Sequence, residues 1–253
     1  MESSRIAIIT GASRGLGRST ALHLAAQGVG IIGTYRSHED EARDVVREIE
    51  AGGAQAVMLP LDTGDSATFD AFVETVRTTL GETFGRADFD FLVNNAGIGL
   101  NALFTETTEE QFDELFRVQV KGPFFLTQKL LPLMRDGGRI LNISSGLTRI
   151  AFPGRSAYAS TKGAIEVLTR HLANELGPRR IRVNTLAPGA TATDFAGGGT
   201  RDNPEINRAV ASHVALGRVG EPDDIGAAAA AILSDSFGWV TGERIEASGG
   251  QSL

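Results

Sequence analysis

The sequence predicts an α/β domain built on a doubly wound parallel sheet of about seven strands. Short runs rich in β-branched residues alternate with longer amphipathic stretches along the whole 253-residue chain. Several of these runs are apolar throughout, as expected of strands that are buried on both faces. Strand–helix alternation favours parallel pairing through right-handed crossovers. No linker, composition shift or tandem repeat divides the chain, so we expect a single domain over residues 1–253.

The boundaries of the predicted elements follow from the apolar runs and from the turns between them. Strands are expected at residues 5–9, 30–35, 54–59, 89–93, 139–143, 181–186 and 244–247. Helices are expected at residues 15–27, 39–51, 65–84, 108–135, 156–177 and 222–234. The segment at about residues 190–216 contains three consecutive glycines, and we expect it to be a mobile lid over a substrate.

The composition argues against several classes of function. The chain contains no cysteine, which rules out disulfides, thiolate metal sites and cysteine nucleophiles. The net charge of −7 argues against nucleic acid as the main partner, because phosphate backbones bind to basic surfaces. The four histidines lack metal-ligand spacing, so we expect no metal site. Neither a signal peptide nor an apolar run of the ~20 residues that span a bilayer is recognisable, which predicts a cytoplasmic protein with no membrane partner.

A glycine-rich turn follows the first predicted strand and opens the first helix. Its sequence, Thr-Gly-Ala-Ser-Arg-Gly-Leu-Gly, occupies residues 10–17. The pyrophosphate of a dinucleotide binds to bare backbone N–H groups at the positive end of a helix, and glycines leave these groups uncovered. A structural turn without a ligand could share this spacing, but the position between strand and helix favours a cofactor site. The candidate cofactor-binding residues are Gly11, Ser13, Arg14, Gly15, Leu16 and Gly17.

The end of the second strand indicates which dinucleotide is bound. An acidic residue there would bind the ribose hydroxyls of NAD(H), but the first carboxylate is Glu39. Arg36 and Ser37 precede it, and both can bind a 2′-phosphate together with Arg14. The alternative is that the two arginines are solvated surface residues. The sequence predicts NADP(H) over NAD(H). Near the adenine we expect the residues that follow the third strand, Asp62 and Thr63.

Tyr158 and Lys162 are the candidate catalytic pair. A spacing of four residues puts the phenol and the ammonium on one face of a helix, one turn apart. A nearby cation favours the phenolate and is expected to lower the pKa of Tyr158 toward the range that a general acid or base needs. The chain contains only two tyrosines and three lysines, so this pair rarely arises by chance.

A serine at the end of the fifth strand is expected to complete the catalytic centre. Ligands of open α/β sheets sit outside the carboxyl ends of the strands, and Ser144 and Ser145 follow the fifth strand. A hydroxyl there can donate a hydrogen bond to a carbonyl oxygen as negative charge develops on it. Ser145 is the preferred candidate and Ser144 the alternative, because adjacent residues of an extended chain face opposite ways.

Together these motifs resemble those of the classical short-chain dehydrogenase/reductase family, which has a Rossmann-like fold. The resemblance covers essentially the whole chain. It rests on the turn at residues 10–17, the Asn-Asn-Ala-Gly of residues 94–97, Ser145 with Tyr158 and Lys162, Pro188-Gly189, and the glycines of the terminal segment 242–250.

The resemblance implies a role for each matching residue. Tyr158 would exchange a proton with the substrate oxygen, and Ser145 would hold that oxygen. Lys162 would lower the pKa of Tyr158 and hydrogen-bond the nicotinamide ribose. Further cofactor contacts are implied for Asn95, Ala96 and Gly97 in the turn after the fourth strand, and for Pro188, Gly189, Thr191 and Thr193 after the sixth.

Two positions depart from the family pattern. Gln119 stands where the family usually has an asparagine that helps to hold a water linking the lysine to solvent. Glutamine keeps the amide but adds a methylene, so we expect an active enzyme with an altered proton path. Ser248 stands where relatives usually carry an aspartate, and the sequence offers no functional account of this change.

The leading hypothesis is an NADPH-dependent ketoreductase, or an enzyme that catalyses the reverse alcohol oxidation. Thr148, Ile150, Phe152 and Phe195 predict a mostly apolar substrate pocket, but fold and family do not choose a substrate. A 3-oxoacyl carrier-protein reductase, an apolar-ketone reductase and a dehydrogenase of sugar or steroid-like alcohols are all open. A cofactor-binding sensor or scaffold without turnover is the alternative of a different class, favoured only by Gln119. The helices at 108–135 and 156–177 resemble those through which family members pair, which predicts a homo-oligomer, a tetramer or a dimer.

Overall fold

Seven strands pair in parallel in the computed structural model, which describes residues 5–253. They are β1 (Ile6–Ile9), β2 (Gly30–Tyr35), β3 (Ala56–Pro60), β4 (Phe89–Asn94), β5 (Met134–Ile143), β6 (Arg182–Pro188) and β7 (Arg244–Ala247). Their order in the sheet is β3-β2-β1-β4-β5-β6-β7. The order reverses between β1 and β4, and this switch creates a crevice outside the carboxyl ends of the strands. The predicted doubly wound fold class is confirmed.

The helices lie on both faces of this sheet. They are α1 (Gly15–Ala25), α2 (Glu39–Ala51), α3 (Phe69–Phe84), α4 (Glu109–Phe116), α5 (Gly122–Leu130), α6 (Ser156–Glu175), α7 (Gly199–Asp202), α8 (Pro204–Ala211) and α9 (Pro222–Ile232). A π-helical segment, Arg117–Lys121, joins α4 to α5. The helix bounds predicted from sequence at residues 39–51 agree with α2. The helices predicted at 15–27, 156–177 and 222–234 begin where α1, α6 and α9 begin but extend two residues too far, and α3 begins four residues after the predicted residue 65.

Two hydrophobic cores lie between the sheet and the helices, one on each face of the sheet. Side chains alternate along a strand, so β1 directs Ile6 and Ile8 into one core and its other two residues into the second. The first core is completed by apolar residues of α3, α5 and α6, and the second by residues of α1, α2 and α9. All four residues of β1 are buried, which explains why this strand is apolar throughout.

The prediction of one long helix at residues 108–135 is wrong, both at the centre and at the C-terminal end of this stretch. The π-helical segment interrupts it, and α5 ends at Leu130. A short 3₁₀ turn containing Pro132 follows, and proline cannot donate the hydrogen bond that would continue an α-helix. β5 then begins at Met134, five residues earlier than the predicted residue 139. Gly137, whose φ of +77° suits only glycine well, lies where the pairing register between β4 and β5 shifts.

The segment at 190–216 contains two helices that the sequence pattern did not predict. They are α7, which begins at the third glycine of the Gly-Gly-Gly run, and α8, which Asn203 caps by accepting hydrogen bonds from two backbone N–H groups. Within the described residues, no helix is long and apolar enough to cross a membrane.

Candidate active site

A cavity of about 1090 Å³ opens at the carboxyl ends of the central strands. It brings together all of the site residues predicted from the sequence except Gly17. A Cβ at Gly17 would lie 2.1 Å from the carbonyl oxygen of Gly11, so this glycine lets α1 pack beneath the turn. Gly17 therefore has a packing role, and its contact with the cofactor stays a prediction.

The turn after β4 supports the glycine-rich turn. The Asn95 side-chain amide donates to the carbonyl oxygens of Thr10, at 2.8 Å, and Gly11, at 3.0 Å. The Thr10 hydroxyl accepts from the backbone N–H groups of Asn95 and Ala96, both at 3.0 Å. Gly11 and Gly15 have φ of +66° and +55°, a conformation that favours glycine. A bare backbone fixed in this way at the start of α1 fits the pyrophosphate of a dinucleotide.

Cationic and polar groups gather at the cavity end beside β2. Arg14 Nη1 lies 3.1 Å from His38 Nε2 and 2.7 Å from Asp194 Oδ2, which belongs to the lid segment. The Ser37 hydroxyl lies 3.1 Å from His38 Nδ1, and Arg36 lines the same end. Two guanidinium groups, a hydroxyl and an imidazole form a donor set that fits the 2′-phosphate of NADP(H).

His38 and Asp194 are two residues of this end that the sequence analysis missed. His38 immediately follows the predicted Arg36-Ser37 pair, which is the signal that could have identified it. Asp194 is brought to Arg14 from 180 residues away by the lid, and no local pattern indicates that contact. Among residues 5–253, no group of three histidine, aspartate or glutamate side chains is arranged to hold a metal ion.

The remaining predicted cofactor contacts lie on either side of the glycine turn. Asp62 and Thr63 line the cavity after β3, where Asp62 Oδ1 accepts from the backbone N–H of Gly64 at 2.8 Å. Across the cleft, the residues that follow β6 line the cavity as predicted, namely Pro188, Gly189, Thr191 and Thr193.

Ser248 has a structural explanation that the sequence did not provide. A Cβ at Gly189 would lie 2.8 Å from both Cα and Cβ of Ser248, so the chain segments after β6 and β7 are in close contact. The Ser248 hydroxyl donates to Glu246 Oε1 at 2.6 Å and accepts from the backbone N–H of Gln251 at 3.3 Å. Gln251 Oε1 in turn accepts from the N–H of Ala190 at 2.9 Å. Ser248 thus helps to fix the cofactor-side loop after β6.

The two serines after β5 face opposite ways. The buried Ser144 hydroxyl donates to Glu166 Oε1 at 2.7 Å, away from the centre of the cavity. The Ser145 side chain lies close enough to the phenol of Tyr158 to lower its pKa, and its hydroxyl accepts from the backbone N–H of Leu147 at 3.2 Å. This geometry favours Ser145 over Ser144 as the group that meets a substrate oxygen.

Tyr158 and Lys162 are buried together, but their interaction differs from the predicted one. Burial raises the pKa of Tyr158 to about 12, against smaller lowering effects of Ser145 and Arg155. Burial also lowers the pKa of Lys162 to about 8. Lys162 Nζ donates to the carbonyl oxygen of Ile143 at 2.9 Å and lies 5.6 Å from the centre of the Tyr158 ring. The expected lowering of the Tyr158 pKa by Lys162 is therefore not what this structure shows.

Gln119 lies in the π-helical segment, and its side chain is 1% exposed. Its Nε2 donates to the Thr161 hydroxyl at 3.2 Å. Its Oε1 is buried without a hydrogen-bond partner among the described residues. A Cβ at Gly97 would lie 2.9 Å from this oxygen and 3.8 Å from Lys162 Nζ, so the oxygen faces the catalytic side of the cavity. An unpartnered buried acceptor fits a water or ligand donor at this position.

Beyond Tyr158, the cavity is lined mainly by apolar side chains. The Tyr158 ring packs against Leu115 and Leu147, and its centre is 5.9 Å from the centre of the Phe195 ring. Of the four residues predicted to form the pocket, Thr148 does not line it, because its hydroxyl donates to Glu166 at 2.8 Å. The other apolar lining residues are Ile98, Ile150, Phe152, Ile206 and Val210, and the polar ones that the sequence analysis missed are Asn101, Arg155 and His213.

Comparison with known proteins identifies the family. The sequence profile of the enoyl-(acyl carrier protein) reductase family matches residues 11–252. The chain is 34% identical to versicolorin reductase 1 of Aspergillus parasiticus, over 97% of this chain and 95% of that protein. It is 33% identical to the 3-oxoacyl-[acyl-carrier-protein] reductase FabG of Staphylococcus aureus, with both chains covered completely.

Solved structures agree with this result. The reductase LugOII, which catalyses a keto-reduction in lugdunomycin biosynthesis, superposes with a TM-score of 0.93 at 41% identity, covering 99% of this chain and 98% of that one. The angucycline C-6 ketoreductase LanV with bound NADP gives 0.93 at 39% identity, covering 98% and 96%. A short-chain dehydrogenase/reductase of Serratia marcescens gives 0.90 at 30% identity, with both chains fully covered. The chain therefore belongs to the short-chain dehydrogenase/reductase family and is an oxidoreductase.

Proposed function

We propose that the protein reduces a ketone to an alcohol with NADPH, and that Tyr158 donates the proton to the substrate oxygen. The observation that carries this proposal is that Tyr158 and Ser145 line the same large cavity, with the Ser145 side chain close enough to the phenol to lower its pKa. Because the pKa of Tyr158 is raised to about 12, its phenol is protonated at neutral pH, the state that a proton donor requires. Bound NADPH supplies the hydride.

The surrounding residues take complementary roles in this proposal. Ser145 donates a hydrogen bond to the oxygen as negative charge develops on it. Lys162 would hydrogen-bond the nicotinamide ribose, and it would give up its hydrogen bond to the Ile143 carbonyl oxygen to do so. Gln119 offers its unpartnered oxygen to a water that relays protons to the site. The segment at 190–216 acts as a lid over cofactor and substrate, and its Asp194 shares Arg14 with the 2′-phosphate of the cofactor.

The proposed cofactor preference is NADP(H) over NAD(H). It is supported by Arg14, Arg36, Ser37 and His38 at the end of the cavity beside β2, and by the absence of a carboxylate in the Thr-Tyr-Arg-Ser stretch that ends this strand. A carboxylate there would repel a 2′-phosphate, whereas two arginines attract it. The bound NADP of the LanV structure supports the same choice.

The proposed substrate is a cyclic, largely apolar ketone. The aromatic and aliphatic lining beyond Tyr158 favours an apolar ligand. The similar proteins include the keto-reductase LugOII of lugdunomycin biosynthesis, the angucycline ketoreductase LanV and versicolorin reductase 1. A 3-oxoacyl thioester is the second candidate, favoured by the full-length similarity to FabG. A linear thioester would bind along the same apolar lining, so the lining does not distinguish the two candidates. Assays with both compounds do.

A carbonyl panel tests the proposal. Cyclic aryl ketones, short linear ketones and a 3-oxoacyl thioester are mixed with the enzyme and either NADPH or NADH, and consumption of the cofactor is followed by absorbance. We expect the cyclic ketones to be reduced fastest and NADPH to be used with a kcat/KM about 100-fold above that of NADH, as two charge-assisted contacts to the 2′-phosphate imply.

Tyr158→Phe separates the enzyme from a non-catalytic sensor. We expect reduction to fall by at least about 10²- to 10⁴-fold while NADPH binding is retained, because only the proton donor is removed. If the native protein binds NADPH but reduces no carbonyl in the panel, the ketoreductase proposal is wrong and a sensor remains.

A further inference from the structure

Arg155 is a cation at the substrate end of the cavity. It lies immediately before α6, three residues ahead of Tyr158, and it is half-buried. Two loops hold it in place. Its Nη1 donates to the carbonyl oxygen of Leu100 at 3.2 Å, and the preceding Gly154 carbonyl accepts from the N–H of Ala102 at 3.1 Å. The guanidinium is therefore fixed beside the reacting centre, although it lies in a loop.

The other donors of this guanidinium have no partner in the described part of the chain. A guanidinium has five N–H groups, and the bond to Leu100 uses one of them. The cavity contains two carboxylates, Asp62 and Asp194. Asp194 is paired with Arg14 and Asp62 accepts from the backbone of Gly64, both toward the cofactor end. Arg155 thus faces an otherwise mainly apolar chamber without a carboxylate to neutralise it.

We propose that Arg155 binds an acidic oxygen of the substrate, a phenolate or a carboxylate, close to the carbonyl that is reduced. This deepens the function proposed above and rests on it. The N–H groups that Leu100 leaves free can hydrogen-bond a ligand in the cavity, and an anionic ligand group supplies a partner of opposite charge. A guanidinium with two free N–H groups binds such an oxygen through charge-assisted hydrogen bonds. The preferred substrate is accordingly an apolar ring ketone with an ionised oxygen.

The position of the acidic group relative to the carbonyl follows from Tyr158. The charge of Arg155 lowers the pKa of Tyr158, although burial has the larger and opposite effect. The guanidinium is therefore near enough to the phenol to act on it electrostatically. Arg155 would hold the acidic oxygen of the substrate, while Tyr158 and Ser145 would hold its carbonyl oxygen. The distance between these two oxygens is therefore no longer than one small molecule.

Matched ketone pairs test this proposal. One pair consists of a cyclic aryl ketone with a carboxylate and its methyl ester, and the other of a phenolic ketone and its methyl ether. The phenolic pair is measured below and above the pKa of the free phenol, so that its neutral and ionised forms are compared. We expect the ionised member to have a kcat/KM about 10- to 100-fold above that of its neutral partner. The pair with the larger ratio identifies the phenolate or the carboxylate.

Arg155→Gln is expected to bring this ratio close to one by reducing the kcat/KM of the ionised member alone. Arg155→Lys should keep part of the preference, because the charge remains without the guanidinium geometry. Arg170→Gln, which removes an exposed arginine of α6 outside the cavity, should leave the ratio unchanged. If Arg155→Gln reduces the kcat/KM of both members equally, Arg155 only supports the loop and the proposal is overturned.

Binding measurements keep this test separate from the test of turnover. Calorimetric titration of the ionised and neutral compounds into the enzyme with NADP⁺ reports their affinities without any reaction. A preference for the ionised compound that disappears in Arg155→Gln supports the anion site even if the native enzyme reduces neither ketone, in which case only the ketoreductase proposal fails. Equal affinities of the native enzyme for both members of each pair overturn the anion site, even if both ketones are reduced.

Discussion

The ammonium of Lys162 is buried beside a phenol and a backbone carbonyl, and no carboxylate pairs with it in the described part of the chain. Its pKa of about 8 is lowered from 10.5 by burial alone. Between pH 8 and pH 10.5, Lys162 is protonated in the unfolded chain but has released its proton in the folded protein. The free energy of unfolding contributed by this group therefore rises with pH across that interval. Below pH 8 both states are charged, and the folded protein bears the full cost of burial.

Lys162→Met tests this linkage in the protein without cofactor. The difference in unfolding free energy, variant minus native, is expected to be constant below pH 8 and to fall by about 3 kcal/mol by pH 10.5, since one pKa unit corresponds to about 1.4 kcal/mol. Urea denaturation at several pH values measures it. Lys121→Met, at an exposed lysine outside the cavity, is the control and should show no such fall. A pH-independent difference would show that burial does not lower the Lys162 pKa, so that the ammonium stays charged in the folded protein up to about pH 10.5.

At this scale the sequence predicted residue types better than their environments. Tyr158, Lys162 and Ser145 meet in one cavity, as their spacing on a helix and at a strand end indicated. The effect of burial on the Tyr158 pKa could not be read from the sequence, because it depends on Leu115 and other apolar neighbours that come from distant elements. The sequence analysis missed Arg155 for the same reason, because only the folded structure shows that no carboxylate in the cavity pairs with it.

At the scale of elements, the lid is connected to the glycine-rich turn by one ion pair. Asp194 and Arg14 lie 2.7 Å apart, with side chains 29% and 49% exposed. In the proposed function, Arg14 also contacts the 2′-phosphate, so the lid carboxylate and the phosphate compete for the same guanidinium. Such a partly exposed pair contributes only about 1 kcal/mol or less.

Asp194→Asn is therefore expected to shift the cofactor preference. Without the Asp194 carboxylate, Arg14 interacts with the 2′-phosphate alone, and NADPH binds more tightly. The ratio of the NADH to the NADPH dissociation constant should therefore increase by about 2- to 5-fold. Fluorescence titration with both dinucleotides measures this ratio. Asp202→Asn, a lid carboxylate outside the cavity that pairs with Arg201, is the matched control and should leave it unchanged. An equal change for both dinucleotides would mean that Asp194 acts on lid closure alone.

The elements that the sequence predicted incorrectly are those fixed by tertiary contacts. A periodic apolar pattern continues through residues 117–121, and nothing in it indicates a π-helical turn. A Cβ at Gly122 would lie 2.2 Å from the Thr63 carbonyl oxygen, so α5 starts in close contact with the loop after β3. The interruption lets Gln119 point toward Thr161 and the cavity. The helices of the lid, four and eight residues long, are too short for a periodic pattern to reveal.

At the scale of the whole molecule, two sets of exposed apolar side chains lie away from the cavity. One is on helices α5 and α6 and includes Phe124, 42% exposed, and Val167, 47% exposed. The other lies at the β7 edge of the sheet, where Trp239 and Leu253 are almost completely exposed. Large exposed apolar groups of this kind mark interaction surfaces. We predict that each set forms one two-fold interface, which would make the expected homo-oligomer a tetramer of D₂ symmetry.

Analytical ultracentrifugation tests this arrangement. The native protein is expected to sediment as four chains of 26.7 kDa each. Val167→Glu, which introduces a charge into the first set, and Trp239→Glu, which does so in the second, should each give dimers, because one interface remains intact in either variant. The double variant should be a monomer. Phe104→Glu, at an exposed phenylalanine of the loop after β4, is the control and should remain a tetramer. A native monomer, or a double variant that is still tetrameric, would show that these two surfaces are not the subunit interfaces.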